Sequence, residues 1–537
     1  MTGHETINPT PRALPRRATK REWIGLGVLA LPTLLLAMDM TVLHLAVPSL
    51  SAALEPSSSQ LLWIVDIYGF MIAGFLIIMG NIGDWIGRRK LLMIGAAAFG
   101  FASVLAAFAP TTEMLIAARA LLGVAGATLM PSTLSLIRNM FDDPAQRTTA
   151  VTVWMTSFMI GAIIGPLVGG VMLVWFWWGS VFLLAVPVML LLLIAGPVLL
   201  PEFRNDEKSR LDPPSVVMAL AAILLLVFAL KEAAKYGSIW QIGAAALTGL
   251  AIGTLFVRRQ IRLEDPLLDL KLFRNTGFTA SLASLSLAVF AISGAMFLIY
   301  QYLQGVLGLS PLEAGLWLLP SSLAGPLVAF AVPALSQRIA PNRLIAAGLA
   351  TGAVSLFLFA MLGQFNGLAM VVGGMTLLSI GMTPVGILGT DLIISSAPAK
   401  QAGAASAISE TGTELGMALG IALFGSLATA IYKTGFASGV GADIPAALTD
   451  RASETLGAAI AVAAQAEAGA GTAILQAARD AFTSGLQISA LGAAIVSAGV
   501  ALMALRYLPK TIRTAGEQAP DSAGPAEASA DAIDLAS

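Results

Sequence analysis

Fourteen apolar stretches, each long enough to cross a bilayer as a helix of about 20 residues, succeed one another along this chain. They fall near 24–48, 61–80, 90–109, 113–138, 147–174, 178–200, 214–231, 239–257, 276–306, 312–335, 343–363, 367–396, 403–432 and 483–508. Backbone groups in hydrocarbon must be hydrogen-bonded internally, so these stretches are read as helices and the chain as an all-α integral membrane protein. Of its 537 residues 57% are hydrophobic and 11% charged, against about 25% charged in a soluble protein. With no cysteine, disulfides and thiolate chemistry are excluded. His4 and His44 are the two histidines, too few for a transition-metal centre. No nucleophile–base pair, metal cluster or phosphate loop stands out, so an enzyme is not expected, nor is a metal or a cofactor. The polar, basic N-terminus leads into a full-length span, so no cleavable leader is expected.

Basic residues set the expected orientation. Clusters such as Arg16-Arg17, Arg88-Arg89-Lys90 and Arg258-Arg259 alternate with loops that keep only Lys231, Lys235, Lys433, Arg451 and Arg479. Both termini are therefore expected in the cytoplasm.

Gly80-Asn-Ile-Gly-Asp-Trp-Ile-Gly-Arg-Arg-Lys90 has a degraded echo in Pro333-Ala-Leu-Ser-Gln-Arg-Ile-Ala-Pro-Asn-Arg343, about 253 residues on. Two six-helix halves, at 24–200 and 276–508, are the expected plan. A cytoplasmic segment at 1–23 precedes them, and a linker at 201–275 carries two inserted spans, 214–231 and 239–257. An outer helical hairpin is expected at 433–482. Asp443-Ile-Pro445 reads as a helix start, and Gly469 and Gly471 as a break before a second helix near 472–482. Residues 509–537 read as a disordered cytoplasmic tail.

Within the apolar run from Gly403 to Tyr432 stand two carboxylates, Glu410 and Glu414. Four residues apart on a helix, they share a face and lie about 6 Å apart along the axis. Charges near mid-membrane are costly and usually face an internal cavity, so this pair is read as a cation and proton site. Arg119, roughly 10 Å from the end of its span, needs a partner at that depth, and Asp39 and Asp66 are the candidates. His44 is read as a hydrogen-bonded helix histidine and Asp391 as an interfacial acid. Glycines 161, 165 and 169 leave a groove for close helix approach, and Pro166 permits a kink. Asp84 with Arg88, Arg89 and Lys90 can latch a cytoplasmic mouth by charge-assisted bonds.

These motifs resemble those of the major facilitator superfamily, across essentially the whole chain. Gly80, Asp84, Gly87, Arg88 and Arg89 match its loop signature between spans 2 and 3. Leu115-Ile-Ala-Ala-Arg119-Ala-Leu-Leu-Gly123 is similar to its span-4 signature. Gly161, Gly165, Pro166, Gly169 and Gly170 match the signature of its drug antiporters, and Met38-Asp39-Met-Thr41 resembles span 1 of the fourteen-span branch. Leu62-Trp63-Ile-Val-Asp66-Ile-Tyr68 narrows the resemblance to QacA-like and SmvA-like multidrug exporters. It implies a major facilitator fold, two six-helix halves plus two inserted central spans. It also implies proton coupling and substrate binding through Asp39, Asp66, Arg119, Glu410 and Glu414. Some of those pumps carry a further acid after a Leu-Leu-Pro in span 10. Here Leu318-Leu-Pro320 is followed by Ser321 and Ser322, which should favour monovalent cations.

The expected activity is export of lipophilic cationic small molecules, such as quaternary ammonium compounds, dyes and biguanide antiseptics, in exchange for protons. A carboxylate in a poorly hydrated cavity can hold a proton near neutral pH, and an arriving cation competes with it. Trp63 and Tyr68 are the candidate cavity aromatics. Moving one positive charge outward costs about 2.3 kcal/mol per 100 mV, so more than one proton should be coupled. The alternative is a proton-coupled symporter, or an exporter of an endogenous metabolite, on the same fold. The lipid bilayer is the expected environment, the protein is expected to act as a monomer, and nucleic acid is not an expected partner.

Overall fold

Long apolar runs punctuated by proline, glycine and polar caps produce eighteen α-helices among the described residues of the computed structural model. Those residues are 17–204, 212–234, 238–263, 266, 270–363, 367–397, 402–441 and 444–510. The readings placed on residues 1–16, Lys235, Asp443 and the tail from 511 lie outside them.

The first half contains α1 (Lys20–Leu54), α2 (Ser58–Ile86), α3 (Arg88–Ala107), α4 (Thr112–Met140), α5 (Pro144–Trp175), α6 (Ser180–Leu183) and α7 (Ala185–Leu199). The inserted pair is α8 (Pro213–Ala234) and α9 (Ile239–Arg262). The second half begins with α10 (Thr276–Gln301), α11 (Pro311–Trp317), α12 (Leu319–Ser336), α13 (Pro341–Ala360), α14 (Gly367–Ser395) and α15 (Ala402–Gly439). Two short helices, α16 (Ala446–Ala452) and α17 (Leu456–Gln465), precede the last span, α18 (Ala468–Tyr507). Among the described residues fourteen helical segments are long and apolar enough to cross a membrane. Two of these are jointed, α6 with α7 and α11 with α12; at the second joint Pro320 starts the new helix.

One reading at the chain's C-terminal side is corrected. The helix expected near 472–482 is the first part of α18, which runs unbroken to Tyr507. Gly469 and Gly471 lie in its first turn, where a helix loses little by carrying glycine. Gly471 is instead used for packing, since a Cβ there would meet the Ala463 carbonyl at 2.5 Å. The hairpin before α18 is therefore α16 and α17 alone.

We call the end of the bundle where α1 begins the basic end, and the opposite end, where α16 and α17 lie, the hairpin end. Within the halves, α1 packs on α5, α2 on α4, α10 on α15 and α13 on α18. Between them, α2 meets α15 on one side and α5 meets α11 on the other. The inserted helix α8 lies against α2 and α15, and α9 packs on α8.

Close packing rests on two glycine stripes. A Cβ on Gly161 would stand 2.1 Å from the Leu34 carbonyl oxygen, and one on Gly165 would stand 2.2 Å from the Thr41 hydroxyl. On α15, Cβ atoms at Gly416 and Gly420 would stand 2.4 and 2.1 Å from the carbonyl oxygens of Ser286 and Phe290 on α10. Gly412, Gly416 and Gly420 each follow Gly161, Gly165 and Gly169 by 251 residues. The α10–α15 contact thus repeats the α1–α5 contact, and a larger residue at either stripe would push two backbones apart.

Candidate functional site: charges buried between the helices

Because successive helix residues turn by 100°, Glu410 and Glu414 lie on the side of α15 away from its glycine stripe. Glu414 is 7% exposed, and its Oε2 is buried with no hydrogen-bond partner. Glu410, one turn nearer the basic end, is exposed. No ion pair with a cation is found for either among the described residues. The neighbouring positions Ala418 and Gly425 face Gly69 and Leu62 of α2.

A second charged cluster belongs to the first half. Arg119 of α4 is 2% exposed and pairs with Asp39 of α1 at 3.0 Å. Its Nε donates to the Ile64 carbonyl at 3.1 Å, and its guanidinium lies 4.4 Å over the Tyr68 ring. Of the two partners the sequence offered, Arg119 takes Asp39 and not Asp66. A void of about 10 Å³, lined in part by Asp39, Phe99 and Phe182, adjoins the pair. Tyr68 stands between this cluster and α15: it lies within electrostatic reach of Asp39, Arg119 and Glu414, and its buried hydroxyl has no hydrogen-bond partner.

Asp66 faces elsewhere. Ile64 and Tyr68 turn toward α4, whereas Trp63, Asp66 and Phe70 turn toward α8 and α15. There Lys231 of α8 places its ammonium 2.8 Å from Asp66 and 4.0 Å over the Trp63 ring. Lys231 is 1% exposed, so its assignment to an outer loop is corrected. It sits in the last turn of α8, and a helical side chain leans back toward the start of its own helix, which carries the ammonium into the protein. Arg479, also assigned to a loop, lies within α18 and donates to the Gly305 carbonyl at 3.0 Å.

Four further residues are placed by the structure. His44 stacks on Tyr300 at 5.6 Å with the rings 6° from parallel, and its Nδ1 has no hydrogen-bond partner. The expected hydrogen-bonded histidine is thus a stacked one that links α1 to α10. Asp391 is exposed in the last turns of α14. Ser321 and Ser322 hydrogen-bond back to the Leu318 carbonyl.

At the basic end Arg88 pairs with Asp84 at 2.6 Å. The Arg89 amide donates to Glu202 at 3.0 Å, and its side chain donates to the Leu200 carbonyl at 2.9 Å. Gly87, at φ +111°, is positioned so that a Cβ would overlap the Glu202 carboxylate. Every one of these partners lies on α2, α3 or the strand of chain leaving α7. Among the described residues the partners of the expected latch all lie inside the first half, because the cluster's carboxylates and carbonyls are supplied locally. Gly80 has nothing within 4 Å of a Cβ.

Polar contacts between the halves gather at the hairpin end. Glu454 accepts from the Ser58 amide at 3.1 Å and from Lys433 at 2.9 Å. Arg451 pairs with Glu55 and Gln304 donates to the Leu45 carbonyl at 3.1 Å, while inside the second half Tyr432 donates to the Ala452 carbonyl at 2.8 Å. A void of about 40 Å³ beneath them is lined by Leu62, Phe297, Gln301, Tyr432 and Thr455 among others.

The chain has known relatives in sequence and in fold. Multidrug efflux pump LfrA of Mycolicibacterium smegmatis is 43% identical over 91% of this chain and 97% of its own. Methyl viologen resistance protein SmvA of Salmonella typhimurium is 37% identical over 90% of this chain and 97% of its own. In fold, the chain matches a bacterial homolog of the human lysosomal transporter Spinster in an inward-facing, occupied conformation. That TM-score is 0.64 at 15% identity, over 91% of this chain and 98% of the other. A peptide transporter, POT, in complex with sulfate matches with a TM-score of 0.60 at 14% identity, over 91% and 96%. Residues 29–421 match the profile of the Major Facilitator Superfamily. The chain is a multi-pass membrane protein and belongs to that superfamily.

Proposed function

We propose that the protein exports lipophilic monovalent organic cations across a bacterial inner membrane in exchange for protons, and that the exchange is made at Glu414. One observation carries this reading. Among the described residues Asp39, Asp66 and Asp84 each have a cationic side chain within 3.0 Å, while the buried Glu414 has none. A carboxylate buried without a counter-charge is stable only if a proton or a cation is supplied to it. Those two occupants exclude each other, which is the coupling an antiporter needs.

The other parts take supporting roles. The exposed Glu410 lies one turn nearer than Glu414 to the basic end, which we take as cytoplasmic from its Arg and Lys clusters. Halves joined at the hairpin end leave the opposite end as the side of entry. Arg119 pairs with Asp39, and Tyr68 relates that pair to Glu414. The names of LfrA and SmvA, a multidrug pump and a resistance protein, accord with export of drug-like molecules. The protein is taken to act as a monomer, with both termini in the cytoplasm.

Efflux of ethidium from loaded cells tests the reading. Glu414→Gln should abolish proton-driven efflux, and Glu410→Gln should slow it. Wild-type efflux from cells carrying Glu414→Gln would refute the assignment.

A further inference from the structure

The seam between α2 and α15 is filled by α8, and among the described residues the one ion pair across that contact is Asp66 with Lys231. Their side chains are 0% and 1% exposed, and neither makes a hydrogen bond beyond the pair. Phe70, Val227, Ala418 and Ala422 wall them in. Docking alone does not call for charge here. Two buried ions lose their hydration, and replacing such a pair by apolar side chains is often neutral or stabilising. A carboxylate beside an indole face within apolar walls is, however, the equipment that holds an organic cation. The ammonium of Lys231 makes both of those contacts.

Lys231 also has somewhere to go. It stands three residues before Ala234, the end of α8. Its four-carbon stem can swing the ammonium to water at the hairpin end while the stem stays on apolar surface. Asp66 and Trp63 would then be free for a different cation.

We propose that Lys231 is a resident competitor: it occupies at Asp66 and Trp63 a site for a monovalent lipophilic cation, yields it during transport, and on returning expels the cation at the hairpin end. This rests on the cation-export reading above and adds a second cation site, distinct from Glu414, with its own release device.

Binding of tetraphenylphosphonium to purified protein tests it. Lys231→Met should bind at least ~10-fold more tightly than wild type and turn over more slowly, ~1.4 kcal/mol of affinity. The double variant Asp66→Asn/Lys231→Met should return to wild-type affinity. Unchanged affinity in Lys231→Met overturns the proposal, as does a double variant that binds as tightly as Lys231→Met. So does wild-type turnover in the charge-swapped Asp66→Lys/Lys231→Asp, which would mark the pair as a fastener. Because the chain has no cysteine, Lys231→Cys offers a second route should Lys231→Met fail to fold. A thiol reagent that adds an aminoethyl group should restore wild-type affinity, and one that adds a methyl group should leave binding tight. Equal affinities after the two labels overturn the proposal. A wild type that neither binds tetraphenylphosphonium nor moves ethidium would instead sink the underlying export reading.

Discussion

Four buried or half-buried acids divide by what stands opposite them. Asp39 has Arg119, Asp66 has Lys231 and Asp84 has Arg88, whereas Glu414 has no cation among the described residues. Arg119 does more than supply charge. It also donates from Nε to the Ile64 carbonyl and places its guanidinium 4.4 Å over the Tyr68 ring, and neither contact suits the compact ammonium of lysine. Arg119→Lys keeps the charge but removes the Nε donor to that carbonyl, so ethidium efflux should fall by ~10-fold or more, the worth of one charge-assisted hydrogen bond. Equal efflux in wild type and Arg119→Lys would show that charge alone matters there. The sequence made these residues visible as candidates, since ionisable groups inside spans are few. It did not reveal their pairing. Which acid meets Arg119 depends on how far each helix is turned about its own axis, and on α2 a two-residue difference separates Asp66, facing α8, from Tyr68 and Ile64, facing α4.

Helix ends and helix faces explain what was legible among the elements. Fourteen spans could be read because hydrocarbon demands about 20 apolar residues for each crossing. Lys231 was misplaced because a cation next to a span boundary looks like a loop residue, whereas the lean of its side chain draws it inward. The glycine stripe on α5 was readable from its motif. Its counterpart on α15 carried no motif and became evident only through the carbonyls of Ser286 and Phe290 against it. Both stripes should behave alike. Gly161→Ala and Gly420→Ala each drive a methyl into a backbone carbonyl, and each should cost about 1–3 kcal/mol of stability. Gly80→Ala, with open space around it, should leave thermal unfolding of the purified protein unchanged. If all three variants melt with wild type, close packing is not what those glycines provide.

For the molecule as a whole, the halves are tied at one end through Glu454. Burial works against the charge of this carboxyl, but the hydrogen bond from Lys433, with those from Ser58, outweighs it and lowers the pKa. A lowered carboxyl pKa means that the stabilisation is complete above the ordinary glutamate range. It is lost only as pH falls from there through the lower folded value. The closure should therefore hold at every pH above about 5. Glu454→Ala should loosen it, and a cysteine introduced at Thr429, which lines the void beneath the closure, should then react faster with a charged thiol reagent from the hairpin side. The exposed pair of Arg451 with Glu55 should matter little, as surface ion pairs contribute about 0–1 kcal/mol.

Exchange of a cation for a proton at one carboxylate has a direct signature. Purified protein in weakly buffered detergent solution, with a pH indicator present, should release protons when tetraphenylphosphonium is added, and Glu414→Gln should release none while remaining folded. Proton release from Glu414→Gln equal to that of wild type, or cation binding by wild type with no proton released, would contradict the exchange.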